Sequence, residues 1–242
     1  MKIHVGTSGY AYQEWKGIFY PEKISPKQML RFYGERLNAV EINYTFHHMP
    51  TERVLAPWGE QVPDDFAFAL KAPQLITHLK QLRNVGEEAD YFFRTLKVLG
   101  KKLGPALFQF PKSFHTKKNR PALEEFLALI PADILCAFDF RSPTWLDAGI
   151  ADLLREKGCS LCIEDTDESP ASAIVATAPW GYLRLRRSAY TDAELSQWLE
   201  RIRVQRWERV FVFFKHEEEG GGPVVGPEIA LRFRALATAG NG

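Results

Sequence analysis

Short apolar runs alternate with longer amphipathic stretches along the chain, and this alternation repeats eight times. The apolar runs are rich in β-branched, aromatic and small residues, which is typical of strands buried in a parallel sheet. The predicted strands are Ile3–Thr7, Ala39–Asn43, Phe66–Lys71, Ala106–Phe110, Leu135–Phe140, Ser160–Asp165, Gly181–Arg186 and Arg209–Lys215.

The longer stretches carry signals for helices. Ser25 followed by Pro26 is a typical helix start, since Ser caps the first turn and Pro tolerates the first helical position. Further helices are predicted at Thr51–Glu60, Glu87–Leu99, Ala122–Ile130 and Asp147–Lys157, after Thr191, and from Pro227. Strict alternation of strand and helix indicates a parallel sheet with helices outside it. Eight units of about 30 residues favour an α/β fold with a single (β/α)8 TIM-type barrel over residues 1–242, including a flexible Gly-rich loop at 217–226.

Composition narrows the classes of protein that fit. With 45% apolar and 13% aromatic residues, the chain can bury a large core, which excludes a mainly disordered protein. Its net charge of +1 disfavours a dedicated nucleic-acid coat. The sequence has neither a membrane-spanning apolar stretch nor the apolar region of a signal peptide. The three cysteines predict no disulfide framework, so we expect a cytoplasmic protein without membrane contacts, of undetermined oligomeric state.

Polar side chains stand at the carboxyl end of almost every predicted strand, which is where barrels of this class hold their working residues. Since burying a lone charge is costly, we expect these groups to share one cavity. The catalytic candidates are Glu41, Lys71, Asp139 and Arg141. The candidates for substrate binding are Ser8, Tyr10, Tyr12, Trp15, Asn43, His78, Gln109, Asp165, Arg184, Arg186, Lys215 and His216. An ion-pair network that merely fills the barrel mouth is the alternative.

An oxyanion site is predicted between the seventh and eighth strands. Arg184 and Arg186 are two residues apart and share a strand face, and Lys215 ends the next strand. Glycines at 220–222 allow backbone N–H groups to approach an anion. No cofactor is predicted. A metal is the weaker alternative, because no spaced ligand motif accompanies the scattered acidic and histidine residues. These residues are Glu41, Asp139, Asp165, His78 and His216.

Five segments together resemble the YecE-like family, which is defined by domain of unknown function 72, over essentially the whole chain. The segments are Val5–Pro21, Val40–Pro50, Phe66–His78, Leu103–Pro111 and Phe138–Trp145. The resemblance implies the barrel fold of that family, whose activity is unassigned. At the positions of Arg186 and Arg187, many members of the family have a pair that resembles His-Gly. At the positions of Lys215 and His216, many have a pair that resembles Asn-Asn. Both departures add positive charge near the last two strands.

Three functions follow from this pattern. The first is an enzyme acting on a small anionic substrate, including a phosphorylated one, with Glu41 or Asp139 as acid or base and Lys71 stabilising negative charge. The second is a nucleic-acid binding or processing protein that stacks bases on aromatic residues and holds phosphates with Arg and Lys. The third is a non-catalytic ligand-binding barrel. For the enzyme, we expect Glu41→Gln and Lys71→Met to abolish activity with little loss of stability.

Overall fold

The computed structural model describes residues 1–145, 148–171, 173–215 and 225–239 of the chain. Eight parallel strands form one sheet in the order β1, β8, β7, β6, β5, β4, β3, β2. The strands are β1 (Lys2–Thr7), β2 (Ala39–Ile42), β3 (Ala67–Lys71), β4 (Leu103–Phe110), β5 (Cys136–Phe140), β6 (Ser160–Asp165), β7 (Trp180–Leu185) and β8 (Arg209–Phe214). This arrangement confirms the predicted (β/α)8 TIM-type barrel. His216 and all but the last two positions of the predicted loop at 217–226 lie outside the described residues.

Helices connect the strands, and most follow the predicted pattern. They are α1 (Pro26–Gly34), α2 (Tyr44–His47), α3 (Glu52–Gly59), α4 (Gly86–Leu96), α5 (Thr116–Leu129), α6 (Ala148–Glu156), α7 (Asp192–Arg203) and α8 (Gly226–Ala239). Helix α7 begins with a capping box, in which Thr191 N–H donates to Glu194 at 2.8 Å and Glu194 N–H donates back to the Thr191 hydroxyl at 3.3 Å.

Some element boundaries differ from the predicted ones. Helix α5 begins at Thr116 rather than Ala122, because Pro121 lies inside it instead of before it. Helix α4 ends at Leu96, and a 3₁₀ segment continues to Lys102. The short helix α2 and a π-helical turn at Leu75–Leu79 follow the second and third strands without a periodic sequence signal.

Alternate residues on the strands divide between two cores. One core fills the barrel, where alanines on β2, β3 and β5 leave room for aromatic side chains from β7 and β8. Its buried members are Ala39, Ala67, Ala69, Leu107, Ala137, Trp180, Tyr182, Phe211 and Phe213. The other, larger core packs the outer faces of the strands against the helices. The three cysteines are unpaired, and within the described ranges no helix is long and apolar enough to cross a membrane.

Strands β1 and β2 are joined mainly by side chains. Their regular backbone pairing is one bridge, at Ser8 and Glu41. Toward the other end of the barrel, the hydroxyl of Tyr33 from α1 accepts a hydrogen bond from Thr7 N–H at 2.8 Å and donates to the Ala39 carbonyl at 2.9 Å. A phenol therefore takes the place of a direct backbone hydrogen bond.

The Asn38 amide continues this joint. Its Oδ1 accepts from Val5 N–H at 2.7 Å, and its Nδ2 donates to the Ile3 carbonyl at 3.1 Å. The two backbones approach so closely that a Cβ on Gly6 would lie 1.9 Å from the Ala39 carbonyl oxygen. Glycine is required at this position because no other residue fits.

A second weak joint lies between β5 and β6. Their ladder contains only Ala137 with Ser160 and Phe138 with Leu161, although both strands continue beyond these pairs. The two joints divide the barrel into two four-stranded groups, β2–β5 and β6–β8 with β1. The barrel is therefore least tightly paired at two places along its circumference.

Candidate functional site

Arg184 lies at the centre of a charged network at the carboxyl ends of the strands. Its guanidinium contacts Glu41 at 3.0 Å, Asp139 at 3.1 Å and Glu164 at 3.4 Å. These carboxylates come from β2, β5 and β6, so the network connects the two four-stranded groups of the barrel. Only 3% of the Arg184 side chain is exposed. The guanidinium therefore holds the site together and is not free to bind a ligand.

The Glu41 carboxylate is completely buried and fully bonded. Ser8 donates to one oxygen at 2.7 Å and Tyr182 donates to the other at 2.7 Å, in addition to the Arg184 contact. Burial alone would raise the pKa of Glu41, but the Arg184 charge and the two hydroxyl donors outweigh it and lower the pKa from 4.5 to about 2. Glu41 is thus a permanently ionised group inside the barrel.

Arg141 and Glu164 form the more exposed part of the network, beside the buried Asp139. Gln109 donates to Asp139 at 2.7 Å, and Arg141 contacts Glu164 at 2.5 Å and Asp139 at 3.5 Å. Asp139, Arg141 and Glu164 line a cavity of about 510 Å³ located where the β5–β6 ladder stops. The gap between these two parallel strands is therefore an opening lined by two carboxyl groups and an arginine.

Glu164 belongs to the charged network, but the sequence-based selection of candidate residues omitted it. Burial and the neighbouring Asp139 charge raise its pKa above 4.5, against the lowering effect of the arginines. The selection included its neighbour Asp165, but adjacent strand residues face opposite ways. Asp165 points away from the mouth, where it accepts from Tyr190 at 2.7 Å and from Arg187 at 2.9 Å. The alternation of side chains along β6 could have identified Glu164. It lies two residues from Cys162 and therefore shares the strand face that turns to the barrel interior.

Lys71 ends β3 with its amine beside an aromatic ring. Its Nζ lies 4.0 Å from the centre of the Phe46 ring and, among the described residues, makes no hydrogen bond or ion pair. Burial, and then the Arg184 charge, lower the pKa of Lys71 from 10.5 to about 8. His78 contacts the same Phe46 ring edge-on at 5.0 Å, and burial and the Lys71 charge lower its pKa below 6.5.

The predicted aromatic residues separate into wall and core. Tyr10, Tyr12 and Asn43 line a cleft of about 260 Å³ beyond the ends of β1 and β2. Trp15 was predicted to join them, but the structure buries it completely below the cleft, stacked on Tyr20 at 5.9 Å. It therefore supports the cleft and does not line it.

The predicted oxyanion trio of Arg184, Arg186 and Lys215 is only partly available. Arg184 is held by three carboxylates, whereas Arg186 lies 3.8 Å from Glu164 with 22% of its side chain exposed. Burial, and then Arg184, lower the pKa of Arg186. Lys215 follows β8 directly and is partly buried. Arg186 and Arg141 both approach the same Glu164 oxygen, so the accessible guanidinium groups converge there instead.

Among the described residues of the charged network and its neighbour Lys71, positive groups outnumber negative ones. Four cations, Lys71, Arg141, Arg184 and Arg186, face three carboxylates, Glu41, Asp139 and Glu164. Fully ionised, this set has a net charge of +1. Across the parts of the chain that the structure covers, no group of three or more His, Cys, Asp or Glu side chains is arranged to hold a metal ion.

Known proteins resemble this chain in both sequence and fold. The protein YecE of Escherichia coli K12 is 26% identical over 156 residues, which are 64% of this chain and 54% of that protein. YunF of Bacillus subtilis 168 is 28% identical over 149 residues, which are 59% of this chain and 52% of that protein. The chain thus aligns with about half the length of these curated relatives.

A solved structure matches along the whole chain. The DUF72 family protein TM1631 of Thermotoga maritima superposes with a TM-score of 0.84 at 27% identity, covering 98% of this chain and 100% of that one. A family model described as a protein of unknown function, DUF72, matches residues 4–239. The barrel with its charged mouth therefore belongs to the DUF72 family.

Proposed function

We propose that this protein is an enzyme that binds a small anionic substrate at the barrel mouth and transforms it by acid and base chemistry. The observation that carries the proposal is the convergence of three guanidinium groups, those of Arg141, Arg184 and Arg186, on the Glu164 carboxylate. Arg141 and Arg186 both approach this carboxylate, and 35% and 22% of their side chains are exposed. A guanidinium favours carboxylate and phosphate ligands, which it binds with two N–H groups.

The burial of each charged group suggests its role. Glu164 lines the open cavity, and burial raises its pKa, so it takes up a proton more readily than an ordinary carboxylate and can act as an acid or base. Burial, and then the Arg184 charge, lower the pKa of Lys71, so its amine loses a proton more readily than that of an ordinary lysine. Glu41 and Arg184 are buried and bonded to each other, so we assign them to positioning the accessible groups and not to contact with substrate.

A thermal unfolding series with inorganic phosphate and with sulfate tests the anion site. A ligand at a hundredfold excess over its Kd stabilises the folded state by about 2.7 kcal/mol, which corresponds to roughly 5–10 °C for a domain of this size. We expect a saturable rise in Tm that Arg186→Ala and Arg141→Ala each remove. The matched control is Arg155→Ala on the outer helix α6, where 52% of the side chain is exposed. Equal responses from all four proteins would refute the site.

The aromatic cleft favours a second candidate, binding of single-stranded nucleic acid. Tyr44 on the cleft wall is 46% exposed, and Tyr10, Tyr12 and Trp58 also line the cleft. Bases stack on such surfaces. A single-stranded oligonucleotide belongs in the same series, because its affinity would fall steeply with salt as phosphate contacts release counterions. A small anion that contacts one or two arginines would show a much weaker salt dependence.

A further inference from the structure

The Lys71 amine lies against an aromatic ring and has no anionic partner among the residues that the structure describes. The Thr45 hydroxyl from α2 donates to the Lys71 carbonyl at 2.7 Å, which fixes the backbone where the strand ends. The Phe46 ring lies against the amine, 4.0 Å from the ring centre to Nζ. A lysine whose role is to neutralise a buried carboxylate would contact one. Within the described part of the chain, Lys71 contacts none.

The charges around Lys71 come from several elements of the barrel. Arg184 on β7 and Arg141 after β5 disfavour the ammonium form, whereas Glu41 on β2 and Asp139 on β5 favour it. His78 in the π-helical turn is a further titratable group close enough for the Lys71 charge to lower its pKa. Burial and the two arginines prevail, and the pKa falls to about 8. At pH 7 about 10% of the amine is then neutral, against about 0.03% for a lysine that titrates near 10.5.

We infer that Lys71 is a nucleophile that forms a covalent imine with the carbonyl group of a small aldehyde or ketone bearing a carboxylate or phosphate. This inference rests on the anionic substrate proposed above and names its reactive group. Imine-forming lysines are activated by desolvation or by a neighbouring cation, and Lys71 has both, through its burial against Phe46 and the charge of Arg184. The neighbouring arginines would hold the oxyanion of the same molecule.

The step balances without an oxidant or a metal. The nitrogen lone pair attacks the carbonyl carbon, the C=O π bond breaks, and one N–H proton passes to the oxygen to give a carbinolamine. The hydroxyl takes up a second proton and leaves as water as the C–O bond breaks and the C=N bond forms, and nitrogen gives up its remaining proton to replace it. The His78 imidazole, which is neutral at pH 7 because its pKa lies below 6.5, accepts and returns the transferred proton.

Reductive trapping tests the inference. The protein is incubated at pH 7 with cyanoborohydride and one of three probes: pyruvate, dihydroxyacetone phosphate, or uncharged hydroxyacetone. Peptide mass spectrometry then locates the reduced adduct. We expect the anionic probes to label Lys71 at least tenfold more than any other lysine, and hydroxyacetone to label it less. Pyruvate and dihydroxyacetone phosphate separate a carboxylate from a phosphate substrate.

Two lysine variants and the pH dependence of labelling test whether Lys71 itself forms the adduct. Lys71→Arg keeps the charge but cannot form the imine, and it should lose the adduct. Lys27→Arg on the exposed outer face of α1 should keep it. In the wild type, the labelling rate should rise with pH to a midpoint near 8, whereas ordinary lysines titrate near 10.4. Labelling spread evenly over surface lysines, or retained in Lys71→Arg, would overturn the inference. If phosphate still raised Tm through Arg186, the anion site would stand while the imine failed.

Discussion

Replacing Glu41 by glutamine removes one charge from a buried ion pair and leaves its volume almost unchanged. Arg184 would then keep Asp139 and Glu164 but lose its closest carboxylate, at 3.0 Å. Breaking a buried pair on one side costs about 3–5 kcal/mol, because the remaining charge stays desolvated. We therefore expect Glu41→Gln to lower the free energy of unfolding by roughly that amount at pH 7. This differs from the sequence-based expectation of little loss, because the carboxylate is fully buried.

The pH dependence gives an independent magnitude. A carboxyl group that titrates near 4.5 when unfolded and near 2 when folded contributes about 3 kcal/mol of stability. The folded state binds the proton less tightly, so this contribution is complete above pH 4.5 and is lost as the pH falls through about 2. The slope in that window is about 1.4 kcal/mol per pH unit. Glu41→Gln should lack it.

Urea unfolding between pH 7 and pH 2 measures both effects. The control is Glu35→Gln, whose carboxylate pairs with Arg36 at the surface and is 58% exposed. Such exposed pairs contribute less than about 1 kcal/mol. If Glu41→Gln were as stable as Glu35→Gln and kept the wild-type slope below pH 4.5, Glu41 would not carry a buried charge.

Two further predictions concern the opposite end and the wall of the barrel. Burial, and then the Lys2 charge, lower the pKa of His4 from 6.5 to about 4, so wild-type stability should fall by about 3 kcal/mol as the pH drops from 6.5 to 4. His4→Phe can still stack on Phe211 and should remove this fall. Urea unfolding at pH 7.5 and at pH 4.5 measures it, and an equal drop in the free energy of unfolding of both proteins would contradict the prediction. Gly181→Ala should cost about 1–3 kcal/mol in thermal unfolding, because its Cβ would lie 2.4 Å from the Trp207 ring. Gly86→Ala, whose Cβ meets nothing within 4 Å, should cost nothing, and equal losses from both would refute the clash.

The barrel and the position of its mouth could be predicted because they depend on local patterns. Apolar strands of five to seven residues followed by polar ends identify the layout without any knowledge of contacts. Which polar group is free could not be predicted, since that depends on distances across the barrel. Glu41 and Lys71 look equivalent in the sequence. Glu41 is bonded to Ser8, Tyr182 and Arg184, whereas Lys71 has no ion-pair or hydrogen-bond partner for its amine among the described residues.

Aromatic residues show the same limit. Tyr12 and Trp15 are three positions apart in one loop, and either suits the wall of a pocket. Packing on Phe19 and Tyr20 draws Trp15 into the core, whereas Tyr12 stays at the cleft. The choice between Glu164 and Asp165 is closer to predictable, because it depends only on which face of β6 turns inward.

The division of the barrel into two strand groups has a consequence for how the chain is made. Strands β2–β5 are neighbours in both sequence and space, so they can assemble as soon as they leave the ribosome. β1 is synthesised before them but pairs with β8, from Lys2 with Arg209 to Thr7 with Phe214. Joining segments roughly 200 residues apart is slow, because the loop must be closed first.

β1 therefore carries an unpaired edge through most of synthesis. The ion pairs of Arg184 with Glu41 and Asp139 then link a strand group that forms early to one that forms late. A nascent chain that ends before β7 contains none of these ion pairs, since Arg184 itself lies on β7. The charged mouth therefore forms only after seven of the eight strands have been made.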